Sequence, residues 1–180
     1  MPRESNAFWR FSLRAYRLPG VEAVCLALQD GCATDTNLLL YCCWLGSTGR
    51  AIDKRGLRRA MAAVARLQAD AILPLRKVRR ALKATPPGLP QEWGAELRKR
   101  IGAVELDLEY LEQCALFQQA QTLPPPVRQL PPRAAARVSI GRYLALLPVP
   151  PVALAQHDVE TLLDACFPPS GVDSANSGHS

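Results

Sequence analysis

The sequence predicts an all-α fold, on three observations. Apolar residues recur at steps of three and four over long stretches, the period of a helix face. Leu38 to Leu45 is apolar on every side for eight residues, as expected of a helix buried at the centre of a bundle. No stretch alternates apolar and polar residues between hairpin turns. The expected architecture is an irregular bundle of about six to seven helices that includes a long antiparallel helical hairpin.

The first helix should run from Asn6 to Leu18, where Pro19-Gly20 stops it. Phe8, Phe11 and Ala15 set its apolar stripe, and Glu4 with the aromatic residues favours a folded helix over a targeting segment. A second helix is expected over Val21 to Asp30, with Gly31 as a left-handed terminator. Thr34 or Asp35 can cap the third, which ends at Gly46. Asp53 is the expected cap of the fourth, along which Leu57, Met61, Val64, Ala71, Leu75, Val78 and Leu82 recur. Pro74 removes a backbone donor and crowds the preceding turn, so a kink or break is expected there.

After a reversal at TPPGLP, a long helix from Gln91 to Thr122 carries Leu97, Ile101, Val104, Leu108, Leu111 and Ala115 at steps 4-3-4-3-4. This stripe either packs on the fourth helix, the expected case, or forms a coiled-coil seam for another subunit. The proline-rich run at residues 123–132 should be an extended strap. Two shorter helices, Arg133 to Leu147 and Gln156 to Phe167, complete a single domain over residues 1–167. The Ser/Gly/Pro-rich tail, residues 168–180, is expected to be disordered.

With 48% hydrophobic and 21% charged residues among 180, the chain can bury a sizeable core. It has no apolar run long enough to span a bilayer and no secretory pattern, so a soluble cytoplasmic protein is expected. Cys25, Cys32, Cys42, Cys43, Cys114 and Cys166 form no CxxC pair, and the only histidines are His157 and His179. Reduced thiols packed as small hydrophobes are expected, with no metal and no cofactor. Phosphate loops, nucleophile elbows and HExxH motifs are absent, so catalytic residues are not assigned. Trp9, Trp44 and Trp93 read as core anchors.

Two clusters are candidate sites. Gln29, Asp30, Asp35 and Asn37 surround one short turn between apolar helices. They are either internally satisfied caps or a polar ligand site with paired carboxylates. Asp30 at a helix C-terminus opposes the dipole, which calls for a specific partner such as an arginine of the first helix. The second cluster is basic. Arg76, Lys77, Arg79, Arg80 and Lys83 precede the hairpin loop, and Arg98, Lys99 and Arg100 follow it. From Arg76 to Arg100 the charge is +6, equal to the net charge of the whole chain. Reflection about the loop brings the two halves together, while Glu105, Asp107, Glu109 and Glu112 are expected opposite the region of Asp70.

The segments FWRFSLRAY (8–16), PGVEAVCLALQD (19–30), DTNLLLYCCWLG (35–46) and PLRKVRRALK (74–83) resemble a family of small proteobacterial proteins classed as a domain of unknown function. Phe8, Trp9, Gly20, Cys25, Gln29, Asp30, Asp35, Asn37, Trp44 and Gly46 fall on its pattern, with Thr36 where valine is more usual. The resemblance implies a helical cytosolic protein and assigns no reaction, catalytic residue or cofactor. The expected role is therefore a non-enzymatic interaction protein whose basic tip engages an acidic protein partner. The alternatives are nucleic-acid or anion binding by the same tip, and a ligand site or enzyme at the Asp30–Asn37 turn.

Overall fold

The computed structural model describes residues 6–85, 87–126, 128–148 and 153–168. The tail expected to be disordered lies, beyond Pro168, outside the described residues. Eight α-helical segments and no strand occur among the described residues. They are α1 (Ala7–Tyr16), α2 (Val21–Cys32), α3 (Thr36–Ser47), α4 (Lys54–Leu67), α5 (Leu73–Ala81), α6 (Gln91–Gln121), α7 (Pro132–Leu144) and α8 (Ala153–Cys166). A π-helical turn, Gln68–Ile72, joins α4 to α5, so the pair is one interrupted rod and the bundle has seven helices.

Local chemistry explains most boundaries. Asn6 caps α1 by accepting from Trp9 N at 2.8 Å, Asp35 caps α3 through Asn37 N at 2.8 Å, and Asp53 caps α4 through Gly56 N at 2.7 Å. The break expected at Pro74 is the π turn that ends two residues upstream, at Ile72. Proline cannot donate, and Leu73 N instead reaches back five residues to Gln68 O. The end of α2 differs from expectation. Gly31 stays helical and Ala33 is the left-handed residue, at φ 53°, because the extra turn buries Cys32.

The centre is α3, where ten consecutive side chains from Asn37 to Gly46 are buried. Phe8 packs between Tyr41 and Trp44 at centroid distances of 5.5 and 5.2 Å, and Trp9 meets Tyr110 edge-on at 5.2 Å. Across α3 lies α7, at a spacing set by Gly46 against Ala136. Helix α8 covers α2 and is tied to α7 by Arg133 and Arg137 on Glu160. The proline-rich strap is docked at both ends. Arg50 donates to Leu123 O and Pro124 O at 3.2 Å, and Leu130 N donates to Gly49 O at 3.1 Å.

The long helix presents an unexpected face inward. Gly94, Glu105, Tyr110, Glu112, Gln113, Leu116 and Ala120 are its buried residues, while Leu97, Val104 and Leu111 of the apolar stripe are 41–48% exposed. Trp9 and Trp44 are core anchors as expected, but Trp93 is 59% exposed. Cys25, Cys32, Cys42 and Cys43 are buried, and burial pushes the Cys25 thiol up to about 12. No described helix is long and apolar enough to cross a membrane.

Candidate functional site

A cleft of about 440 Å³ opens between α1, α2, the start of α3, α5 and α6. Its apolar wall is Trp9, Leu13, Leu26, Leu40 and Leu106, and its floor holds Ser12, Asn37 and Gln113. Around the mouth stand Arg76, Arg79, Arg80 and Lys83, faced by Glu22, Glu105 and Glu109. An apolar wall with a few convergent polar groups is the usual composition of a small-molecule site.

The floor rests on a buried polar network. Asn37 Nδ2 donates to Glu112 Oε2 at 2.7 Å, and Gln113 Nε2 donates to Asn37 Oδ1 at 2.7 Å. Gln68 Nε2, in the π turn, donates to Asp35 Oδ2 at 2.6 Å and to both Glu112 oxygens at 2.8 and 2.9 Å. Asp35 N donates to Tyr143 Oη at 2.8 Å. Burial, followed by the charge and hydrogen bond of Asp35, pushes the Glu112 carboxyl up to about 9. At neutral pH Glu112 therefore keeps its proton.

Two atoms of the floor are not satisfied. Ser12 Oγ and Gln113 Oε1 are buried and have no hydrogen-bond partner among the described residues. Such atoms cost about 1–3 kcal/mol each unless something meets them. Both residues line the cleft.

At the mouth, Arg76 Nη2 sits 2.6 Å from Glu109 Oε1, and its Nη1 donates to Gln29 Oε1 at 3.2 Å. Desolvation pulls the Arg76 guanidinium down, but the Glu109 pair more than reverses this and holds it above its ordinary value. Arg79 Nε donates to both oxygens of buried Glu105, at 2.8 and 2.9 Å. Tyr16, also on the cleft, is pushed up to about 12 by burial and then by Glu22, so it stays a neutral phenol.

The two sequence-predicted clusters thus meet in one place. Gln29 and Asn37 line the cleft, Asp35 supports its floor from behind, and Asp30 is exposed with no ion-pair or hydrogen-bond partner among the described residues. Asp35 is paired with Glu112 instead of Asp30. From the basic cluster, Arg76, Arg79, Arg80 and Lys83 line the cleft. Arg98 and Lys99 line an adjoining open groove with Arg79, while Lys77 and Arg100 are exposed.

Of the acids expected near Asp70, Glu105 and Glu109 instead meet Arg79 and Arg76, about two helical turns further along α6 than a reflection predicts. Glu112 does meet Gln68 of the π turn that holds Asp70. Loop residues Leu82 and Thr85 fold back over Gly94, which shifts α6 relative to α5. Sequence reasoning missed Ser12, Gln68, Glu112 and Gln113. The spacing of Glu105, Glu109 and Glu112 along one side of α6 was the available signal.

The fold and cleft define an all-helical bundle protein with a side-opening pocket, polar at its floor and cationic at its mouth. The chain belongs to the family described as Protein of unknown function (DUF2390), whose model matches residues 7–116. Every residue lining the cleft lies within that match, whereas α7 and α8 lie beyond it. No curated protein and no solved structure matches the chain.

Proposed function

We propose that this protein binds a small organic anion in the cleft between α1 and the α5–α6 hairpin. The observation that carries this reading is the pair of unmet buried polar atoms, Ser12 Oγ and Gln113 Oε1, beneath a cationic mouth. The anionic end sits at Arg80 and Lys83, whose side chains lie at the exposed rim, and the hydrogen-bonding end reaches Ser12 and Gln113. Trp9, Leu13 and Leu26 take the apolar middle. Arg76 and Arg79 act mainly to position the walls, since their charge is engaged by Glu109 and Glu105.

A second reading rests on the cations left exposed at the hairpin: Lys77, Arg80, Lys83, Lys99 and Arg100. They favour an acidic protein partner or nucleic acid at the tip, held by contacts that weaken steeply with salt.

Native mass spectrometry after incubation with a small-molecule cell extract tests the first reading. The wild-type chain is expected to retain one discrete anionic ligand. Ser12→Leu, which fills the floor, should lose it, and the double variant Arg80→Gln/Lys83→Gln should weaken capture at least ~10-fold, as for loss of charge-assisted hydrogen bonds. Thermal melts confirm that each variant is folded. Capture of nothing by wild type, or equal capture by all three, would overturn it.

A further inference from the structure

The side-chain amides under the cleft are aimed one by another, and the series ends in an acceptor that no donor meets. The Glu112 proton is engaged in a side-chain hydrogen bond with Asp35, so Glu112 offers lone pairs to Asn37. Asn37 Nδ2 donates to Glu112 Oε2 at 2.7 Å, which turns Asn37 Oδ1 towards Gln113. Gln113 Nε2 donates to that oxygen at 2.7 Å, which leaves Gln113 Oε1 as the free end of the series. Neither it nor Ser12 Oγ has a partner among the described residues. Gln113 and Ser12 are only 4% and 3% exposed, so bulk water does not compensate them.

The polarity of this series selects the ligand. An acceptor is met only by an O–H or N–H group; a carbonyl, ether or carboxylate placed there would add a second unmet acceptor to the first. The Ser12 hydroxyl can donate as well as accept. A ligand hydroxyl serves both residues, giving its proton to Gln113 Oε1 and accepting from Ser12 on its oxygen. An ammonium or amide N–H serves Gln113 but brings no lone pair for the Ser12 proton. We propose that the ligand of the cleft is a hydroxylated organic anion, with its hydroxyl at Gln113 and Ser12 and its anionic group at Arg80 and Lys83. This rests on the reading of the cleft as an anion site. Gln113 is then a specificity-determining residue, because its orientation admits a donor and rejects an acceptor of the same size.

Calorimetric titration with matched pairs of carboxylates tests this. The probes are straight-chain carboxylates of graded length, each made with a secondary-alcohol end and with the matching methyl-ketone end. The two members of a pair have the same heavy atoms, and only the alcohol can donate. Wild type is expected to bind the alcohol of the best-fitting pair at least ~10-fold more tightly than the ketone. In Gln113→Met, shown to be folded by its thermal melt, the preference should shrink to within ~3-fold. Ser12→Ala should weaken both members alike and keep the preference, since Ser12 can donate to either oxygen. The wild-type preference is read without any variant, so the proposal stays open to refutation even where Gln113→Met does not fold. A ketone bound as tightly as its alcohol overturns the hydroxyl assignment and leaves the anion site standing. A preference that survives in folded Gln113→Met overturns the role of Gln113. A chain that binds no probe but captures an anion from the cell extract overturns this inference alone, and one that does neither overturns the anion site with it.

Discussion

Glu112→Gln should raise the melting temperature at pH 8 by about 10 °C and leave it nearly unchanged at pH 5. Glu112 is fully buried, and its carboxyl is displaced from an ordinary value of 4.5 to about 9. The folded value lies above the unfolded one, so the stability contributed by the protonated group is complete below about 4.5. It is lost as pH rises towards 9, because the unfolded chain releases a proton that the folded chain retains. Each unit of displacement corresponds to ~1.4 kcal/mol, which makes the loss at pH 8 on the order of 3–5 kcal/mol. Glutamine reproduces the neutral acid: its amide nitrogen can donate to Asp35 and its oxygen can accept from Asn37 or Gln68. It has no proton to lose, so the pH slope should flatten. Melts of the two proteins from pH 5 to pH 9 settle the point. A wild-type curve with no fall across that interval would rule out a Glu112 that keeps its proton.

The chemistry of this network explains what the sequence could not disclose. The capping roles of Asp35 and Asp53 and the break before Pro74 were legible, because each depends on neighbours within a few residues. The central place of α3 was equally legible, since eight apolar residues in a row leave a helix no polar side. The inward face of α6 was not. Apolar periodicity favours Leu97, Val104 and Leu111, yet Glu105, Glu112 and Gln113 are the residues buried. Their burial is offset by Arg79, Gln68 and Asn37, partners 26, 44 and 76 residues away. A local reading assigns a glutamate to solvent because it cannot see the donors that the fold brings to it.

The candidate site shows the same division. Gln29 and Asn37 stood out as polar residues in an apolar setting, and both line the cleft. Asp30 stood out for the same reason and is exposed. The difference lies in where α2 ends. Once Gly31 continues the helix, Asp30 is no longer a terminal residue facing α3. The exposed tip was read as a block of uncompensated charge, but Glu105 and Glu109 reach Arg79 and Arg76 through the offset between α5 and α6.

Gly46→Ala should be among the most damaging single substitutions in the chain, costing about 3 kcal/mol or more and lowering the melting temperature by roughly 6–12 °C. A methyl group at residue 46 would lie 2.6 Å from Ala136 Cβ, 2.7 Å from Ala136 N and 2.8 Å from Ala136 Cα. Two of those atoms are backbone, so no rotamer change can relieve the overlap, and α3 and α7 would have to separate. Separation would strain the contacts around Ile140 and Tyr143, which are fully or almost fully buried, and the bond that Asp35 N donates to Tyr143 Oη. Ala136→Gly in the same chain removes only the Cβ contact, so it should recover part of the loss and not all of it. Gly31→Ala is the matching control. Gly31 is helical, has nothing within 4 Å of an added Cβ, and does not adopt a positive φ. There the same methyl group should stabilise the protein by about 0.5–1 kcal/mol through reduced freedom of the unfolded chain. Thermal melts of the two variants should move in opposite directions. A Gly46→Ala protein as stable as wild type would mean that α3 and α7 do not meet at Gly46.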